Sequence, residues 1–349
     1  MSISTIARGT GTVPVYQTQA SLHELVTRIV SCQLIHSLPE ADRGLFKGAI
    51  DSGSEEDDYV IATEETIFHP QGGGQPSDIG YMKPAVPTSQ LESLDEMRTP
   101  EQHGQDQANT LERKYQEDPH RQDEKAENNK QGSSIFNVKL VRKSTTAPQI
   151  IYHFGRFSSS SQDAKGGRPN DQGPPNEQVQ PTWQKGASVM QTIDSATRNY
   201  HSRYHTGGHI LGLAVRQLQD QIGQPVSEIK ANHAPGMAFV EFRGLIAGEH
   251  KAAIQERVSE LVQRSLAVNV ELWDEEQAKA RCAALPEGFK LPIDGDGKVQ
   301  VRVVDVDGVG AYPCGGTHLP TTRDIGGVVV RKISRSKGVS KVSYEITDV

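Results

Sequence analysis

Two short stretches carry residues whose types and spacing can do chemistry. His205 and His209 stand four positions apart in YHTGGHILGL, and Cys314 and His318 repeat the interval in YPCGGTHLP. On a helix, residues i and i+4 share a face, so the two histidines can converge on one ion. The zinc-protease motif with this spacing needs a glutamate general base directly after the first histidine. Thr206 occupies that place, so the protease reading fails. Histidine nitrogen and cysteine sulfur are the ligands Zn²⁺ takes in fours, tetrahedrally, and the two motifs together supply a His₃Cys set for one ion per chain. Taken singly, each has a plainer reading, as scattered surface histidines or a buried free thiol. His201 lies one turn further back on the same face and reads most simply as an exposed histidine.

These residues need elements to hold them. Asp194 or Ser195 is a fitting N-cap for a helix running to about Gln219, with Ile193, Tyr200, Tyr204, Leu211, Val215 and Leu218 on its apolar face. GASVMQTID, GMAFVEFRG, LAVNVELW and KVQVRVVDVDG read as strands. EHKAAIQERVSELVQRSL is a second amphipathic helix and DEEQAKARCAAL a short one. GGVVVRKISRSKGVSKVSYEI reads as a hairpin turning near Lys337-Gly338. Strands and helices without regular alternation make an α+β domain. Upstream, VPVYQT, YVIATEETIFHP, SIFNVKLV and QIIYHFGRF are strand-like, LHELVTRIVSCQLI is either a short helix or strand, and PQGGGQPSDIG is loop. Two polar stretches without periodicity, about 86–134 and 158–181, read as disordered insertions on the surface of this N-terminal β-domain. The expected division is 1–190 and 191–349.

Length and composition agree with two soluble domains: 349 residues, 35% hydrophobic, and no apolar run near the ~20 residues of a membrane span. Three widely spaced cysteines and an N-terminus unlike a signal peptide point to a reducing, cytoplasmic location. The net charge of −7 is uneven. Residues 86–134 hold eleven acidic and six basic side chains, whereas the chain from Thr182 onward is near neutral. Arg331, Lys332, Arg335, Lys337 and Lys341 form a stripe with no acid inside it. Such a stripe can follow a phosphate backbone, or simply be a solvated strand face.

HTGGH and CGGTH, in this order, resemble the editing domain of alanyl-tRNA synthetases and above all its free-standing AlaX-type relatives. IFHPQGGGQPSDIG is similar to the glycine-rich motif of the β-barrel that precedes that domain, and THLPTTRDIGGVVVRKI to its continuation. The resemblance implies a small N-terminal β-barrel followed by a zinc-containing editing domain of antiparallel sheet and packed helices. It also implies hydrolysis of the ester joining serine or glycine to the tRNA for alanine, with tRNA as partner and neither DNA nor a membrane. Neither the catalytic nor the anticodon-binding region of a synthetase is expected. Oligomeric state is left open, with a monomer as one option.

Within that resemblance, Thr206 and Thr317 are candidates to hydrogen-bond substrate or hold a ligand. Glu228 stands where synthetase editing domains carry a glutamine, and is a candidate base or ammonium receptor with Lys230 and His233 nearby; a solvated strand edge is the alternative. Gly72, Gly73, Gly74 and Gln75 form either a tight turn at a barrel corner or a surface for close approach of RNA or the editing domain. Gly207 and Gly208, each costing about 1 kcal/mol in a helix interior, are expected to clear space for the second ligand segment and the acceptor end. A non-catalytic zinc-containing RNA-binding module on the same fold is the rival reading.

Overall fold

The computed structural model describes residues 11–50, 57–85, 134–159, 183–282 and 300–348. The polar insertions expected at 86–134 and 158–181 lie outside the described residues except at their edges, where Ser134 opens one strand and Ser159 closes another. Six strands close a barrel: β2 (Glu24–Leu34), β3 (Tyr59–Thr63), β5 (Gly80–Pro84), β6 (Ser134–Lys143), β7 (Ile151–Ser159) and β8 (Ser188–Ile193). Every neighbouring pair is antiparallel, in the order β2-β3-β7-β6-β5-β8. The ambiguous LHELVTRIVSCQLI is strand, as its β-branched run Val26, Thr27, Ile29 and Val30 favours. VPVYQT is strand only at Val13–Pro14 (β1), which pairs with Glu65–Thr66 (β4); the chain then makes one 3₁₀ turn that buries Val15 and Tyr16.

The barrel's last strand runs directly into a long helix, α1 (Ser195–Gln217), capped by Asp194, whose carboxylate accepts from the Thr197 amide at 2.7 Å. It packs on an antiparallel sheet of β9 (Ser227–Asn232), β10 (Phe239–Arg243), β14 (Gly327–Ser336) and β15 (Val339–Thr347). A second helix, α2 (Lys251–Gln263), lies against α1 and β14. A smaller sheet joins β11 (Val268–Trp273), β12 (Val301–Val306) and β13 (Gly310–Pro313). Lys337 and Gly338 both take positive φ, 50° and 78°, as a two-residue hairpin turn requires.

Helix α1 is enclosed on more than one side: Ile210 to Val215 are all buried. Leu211, Val215, Val240, Phe242, Val342, Tyr344 and Ile346 belong to one core. Tyr200, expected on the apolar face, is 40% exposed and meets Tyr204 of that core with the two rings nearly perpendicular.

The helix glycines serve this packing. A Cβ on Gly207 would come within 2.7 Å of Ile346 Cδ1, and one on Gly208 within 2.3 Å of the His233 ring and 2.7 Å of the Tyr344 hydroxyl. Their clearance is for the sheet beneath, not for the Cys314–His318 segment as expected from sequence. Gly316 is the glycine that clears the ligand side, since its Cβ would stand 2.3 Å from His205 Cε1. Gly208→Ala is expected to lower stability by about 1–3 kcal/mol, because neither the His233 ring nor Tyr344 can retreat from a packed core. Denaturant melts against wild type measure it; an unchanged midpoint would mean the sheet accommodates the methyl group.

Candidate metal centre

His205 and His209 project from the middle of α1, while Cys314 and His318 come from the loop after β13. That loop is tied down on several sides. Thr206 Oγ1 accepts from the Leu319 amide at 3.1 Å and donates to Ser202 O at 2.8 Å. The Cys314 amide donates to Arg302 O at 3.1 Å, and the Arg302 guanidinium donates to Cys314 O and to Gln17 O. Thr317 Oγ1 is 2.8 Å from Ser202 Oγ and accepts from Gln75 Nε2 at 2.8 Å.

The four side chains meet, with their ligand atoms all within 4.8 Å of one another. Cys314 Sγ lies 3.4 Å from His205 Nε2 and 3.7 Å from His318 Nε2. A tetrahedral ion with Zn–S and Zn–N bonds of ordinary length separates sulfur and nitrogen by about 3.6 Å. His209 Nε2 is sealed from solvent without a hydrogen-bond partner, which is costly unless something else takes its lone pair. The donor set and the orphaned nitrogen therefore fit a metal ion.

Burial dominates the electrostatics. It holds His205 and His318 well below the usual imidazole range and brings His209 down to about 3, with the neighbouring imidazoles pushing the same way. Neutral imidazoles are the form that ligates. Burial pushes the Cys314 thiol up to about 11, against the pull of the Gly316 amide and Arg302. A cation in the cluster would reverse that for the thiol.

His201 is buried rather than exposed, and its Nδ1 has no partner. The barrel loop 67–78 meets the first turn of α1 here, at Arg198, and Arg198 and Ser202 are buried as well. Arg198 Nε donates to both Asp78 oxygens, at 2.9 and 3.0 Å, and its other nitrogens donate to Ala20 O and Ile67 O. Within this loop Gly72 and Gln75 exchange backbone hydrogen bonds around Gly73 and Gly74, both at positive φ, so the glycine motif is a tight turn. It is also a close approach. Gly74 O accepts from the His233 amide at 2.8 Å, and a Cβ on Gly74 would stand 2.7 Å from Ala231 O. Gln75 reaches past the turn to the ligands, its Oε1 accepting from His205 Nδ1 at 2.6 Å and from the Thr317 amide at 3.0 Å.

Glu228 lies on the outer strand β9 but is half-buried rather than fully solvated. It sits over Gly212 with Tyr312, beside a cavity of about 70 Å³ that Arg216 and Ser227 help to line. Burial raises its carboxyl to about 7, although the Tyr312 hydroxyl pulls the other way, and its Oε2 has no partner. Tyr312 in turn packs on His209, ring centroids 4.4 Å apart. Lys230 is exposed, and His233 stacks instead on His205 at 4.4 Å with Nδ1 2.7 Å from the Tyr344 hydroxyl. Sequence reasoning missed the roles of Gln75, Asp78, Arg198 and His233. Each pairs with a residue far along the chain, and only polar side chains flanking the glycines hinted at them.

The basic stripe lies on the β14–β15 hairpin, with Arg331, Lys332, Arg335 and Lys337 exposed. It is not free of acid in space. Arg331 is 3.4 Å from Glu345 on the neighbouring strand, and the Lys341 ammonium lies 3.6 Å over the Phe239 ring.

Comparison with known proteins adds to this geometry. Residues 301–342 match the second additional domain of threonyl and alanyl tRNA synthetases. Over 298 residues the chain is 23% identical to the alanyl-tRNA editing protein AlaX-M of Methanosarcina barkeri, covering 84% of this chain and 90% of that one. The chain resembles the AlaX-type editing proteins. AlaX-L of Pyrococcus horikoshii is 22% identical over 299 residues, 84% of this chain and 53% of its own. The alanine–tRNA ligase of Methanosphaera stadtmanae is 22% identical over 297 residues, again 84% of this chain but 24% of the ligase. The chain thus spans about a quarter of the ligase and about half of AlaX-L.

Glu228 yields a pH test. Its folded-state value of about 7 lies above its ordinary 4.5, so the folded protein holds the proton more tightly. The associated stability is present below pH 4.5 and is lost as pH rises through 7. Chemical denaturation from pH 5 to 8 is expected to show wild type weakening relative to E228Q; parallel curves would mean that the carboxyl is solvated.

Proposed function

We propose that this chain is a trans-editing hydrolase that deacylates mischarged tRNA for alanine, carrying serine or glycine, with one zinc ion held by His205, His209, Cys314 and His318. Its organisation is a barrel domain, 1–190, and a deacylase domain, 191–349, with the boundary falling inside β8, whose pairing continues to Ile193. The observation that carries the reading is the alignment with nine-tenths of AlaX-M, an alanyl-tRNA editing protein, by a chain whose HxxxH and CxxxH pairs converge on one point.

An aminoacyl ester is already activated, so a held water and stabilised charge at the carbonyl suffice without a covalent intermediate. Zinc bound by the four residues would supply positive charge for polarising or orienting the ester end of the substrate. The chain's own groups then divide the work. Thr206 and Thr317 keep the ligand loop in place, because their hydroxyls are already engaged with Ser202, Leu319 and Gln75. Glu228, with its carboxyl near neutrality, serves as proton acceptor or receives the substrate ammonium. The exposed basic hairpin follows the acceptor-stem phosphates. No described helix is long and apolar enough to cross a membrane. The proposed place of work is the cytoplasm.

Ser-, Gly- and Ala-tRNA incubated with wild type and Cys314→Ala test the proposal. Wild type loaded with zinc is expected to hydrolyse the serine or glycine ester and spare the alanine ester, while Cys314→Ala loses both zinc and activity. Survival of all three esters would defeat the editing reading in favour of a non-catalytic module. Full zinc and activity in Cys314→Ala would defeat the ligand assignment. Separately, tRNA affinity should fall with salt, and Arg335→Ala with Lys337→Ala should reduce the log–log slope by about 0.7–0.9 for each phosphate left without its cation. An unchanged slope would place the tRNA on another face.

A further inference from the structure

We infer that Gln75, at the tip of the barrel's glycine turn, is a positioning residue for the metal centre: its amide fixes the tautomer of His205, so that the site is completed across the contact between barrel and helix. This rests on the metal reading proposed above. The orientation of the amide follows from its partners. The Thr317 backbone N–H can only donate, so the Gln75 atom 3.0 Å from it is the oxygen. The same oxygen lies 2.6 Å from His205 Nδ1, which must then carry the imidazole proton. His205 Nε2 is left with its lone pair, and this is the nitrogen 3.4 Å from Cys314 Sγ. On the other side Gln75 Nε2 donates to Thr317 Oγ1 at 2.8 Å, and that hydroxyl lies 2.8 Å from Ser202 Oγ.

One buried amide thus joins a ligand from α1 to the backbone of the Cys314–His318 loop, which carries two of the other three. Its own position is set from outside both, by a turn whose Gly72–Gln75 backbone pair and Gly74–His233 bond leave little freedom. The glycines allow the approach. A side chain on Gly316 would strike Gln75 Oε1 at 2.7 Å as well as the His205 ring. A hydrogen-bonded partner on the non-ligating nitrogen is what orients a metal-bound imidazole and raises its basicity, and losing one weakens metal binding about 10–100-fold.

The test compares wild type with Gln75→Leu, Gln75→Glu and Gln71→Ala, the last being an exposed side chain on the same turn. Zinc affinity is read by chelator competition, and the His205 tautomer by ¹⁵N NMR of the metal-free proteins. Gln75→Leu is expected to bind zinc about 10–100-fold more weakly and to lose the Nδ1–H signature of His205 while keeping the wild-type circular dichroism. Gln75→Glu, which restores an acceptor for Nδ1, recovers both, and Gln71→Ala matches wild type. Equal zinc affinity in Gln75→Leu and wild type would overturn the inference and leave the metal reading intact. A wild type that takes up no zinc would overturn both. Should Gln75→Leu misfold, Gln75→Glu decides: if it retains the fold but not the Nδ1–H signature, the amide does not set the tautomer.

Discussion

A guanidinium and a carboxylate, both sealed from water, hold the two halves of the described structure in register. Arg198 and Asp78 are almost wholly buried, a costly arrangement unless every remaining donor and acceptor is used. Here they are largely used. The His69 amide donates to Asp78, and Arg198 spans the carboxylate and two barrel carbonyls, Ala20 and Ile67. The pair sets where the barrel loop meets the first turn of α1, and hence where the loop tip falls two turns later. Arg198, Ser202, His205 and His209 follow one another on the helix face that meets the loop and the ligand segment. Gly207 and Tyr204 look instead toward the sheet.

That division of faces explains what the sequence made legible. The four candidate ligands, paired at four-residue intervals, were readable because a helix and a tight loop both convert that spacing into proximity. Four of the six barrel strands, a cap at Asp194 or Ser195 and the hairpin turn at Lys337-Gly338 were readable because they depend on local propensity, whereas β2 read equally as helix and β5 was not picked out. Non-local relations were hidden. Nothing near Arg198 announces that a loop more than a hundred residues away will bind it. The stripe on β14 looked free of acid until β15 brought Glu345 across the ladder. Glu228 could be read either as a functional carboxyl or as a solvated edge for a similar reason: only the fold sets Tyr312 and the gap at Gly212 around it.

The cluster itself is a polar island in a packed interior, and its groups do not all gain from burial. The three imidazoles are kept in the neutral form that offers a lone pair. The thiol is driven the wrong way for ligation, and the chain answers locally. The Gly316 amide donates to Sγ at 3.4 Å, and Arg302 stands close enough to favour the thiolate. Arg302 is itself anchored on Gln17, at the 3₁₀ turn beside the barrel. Both the nitrogen and the sulfur side of the centre are therefore adjusted from the barrel.

The strand registers carry a consequence for growth of the chain. Ser134 stands opposite Ser159, and Pro84 opposite Val189, so the chain leaves the barrel after β5 and β7 and returns at β6 and β8 along one rim. Gly80 and Ile193, which lead to the glycine turn and to α1, face each other at the opposite rim. Sequence can accumulate or be trimmed at the first rim without shifting a single ladder pair. The second is constrained on both strands by what they enter next. The barrel thus has one permissive mouth and one committed mouth, and the two long polar intervals of this chain both open from the permissive one.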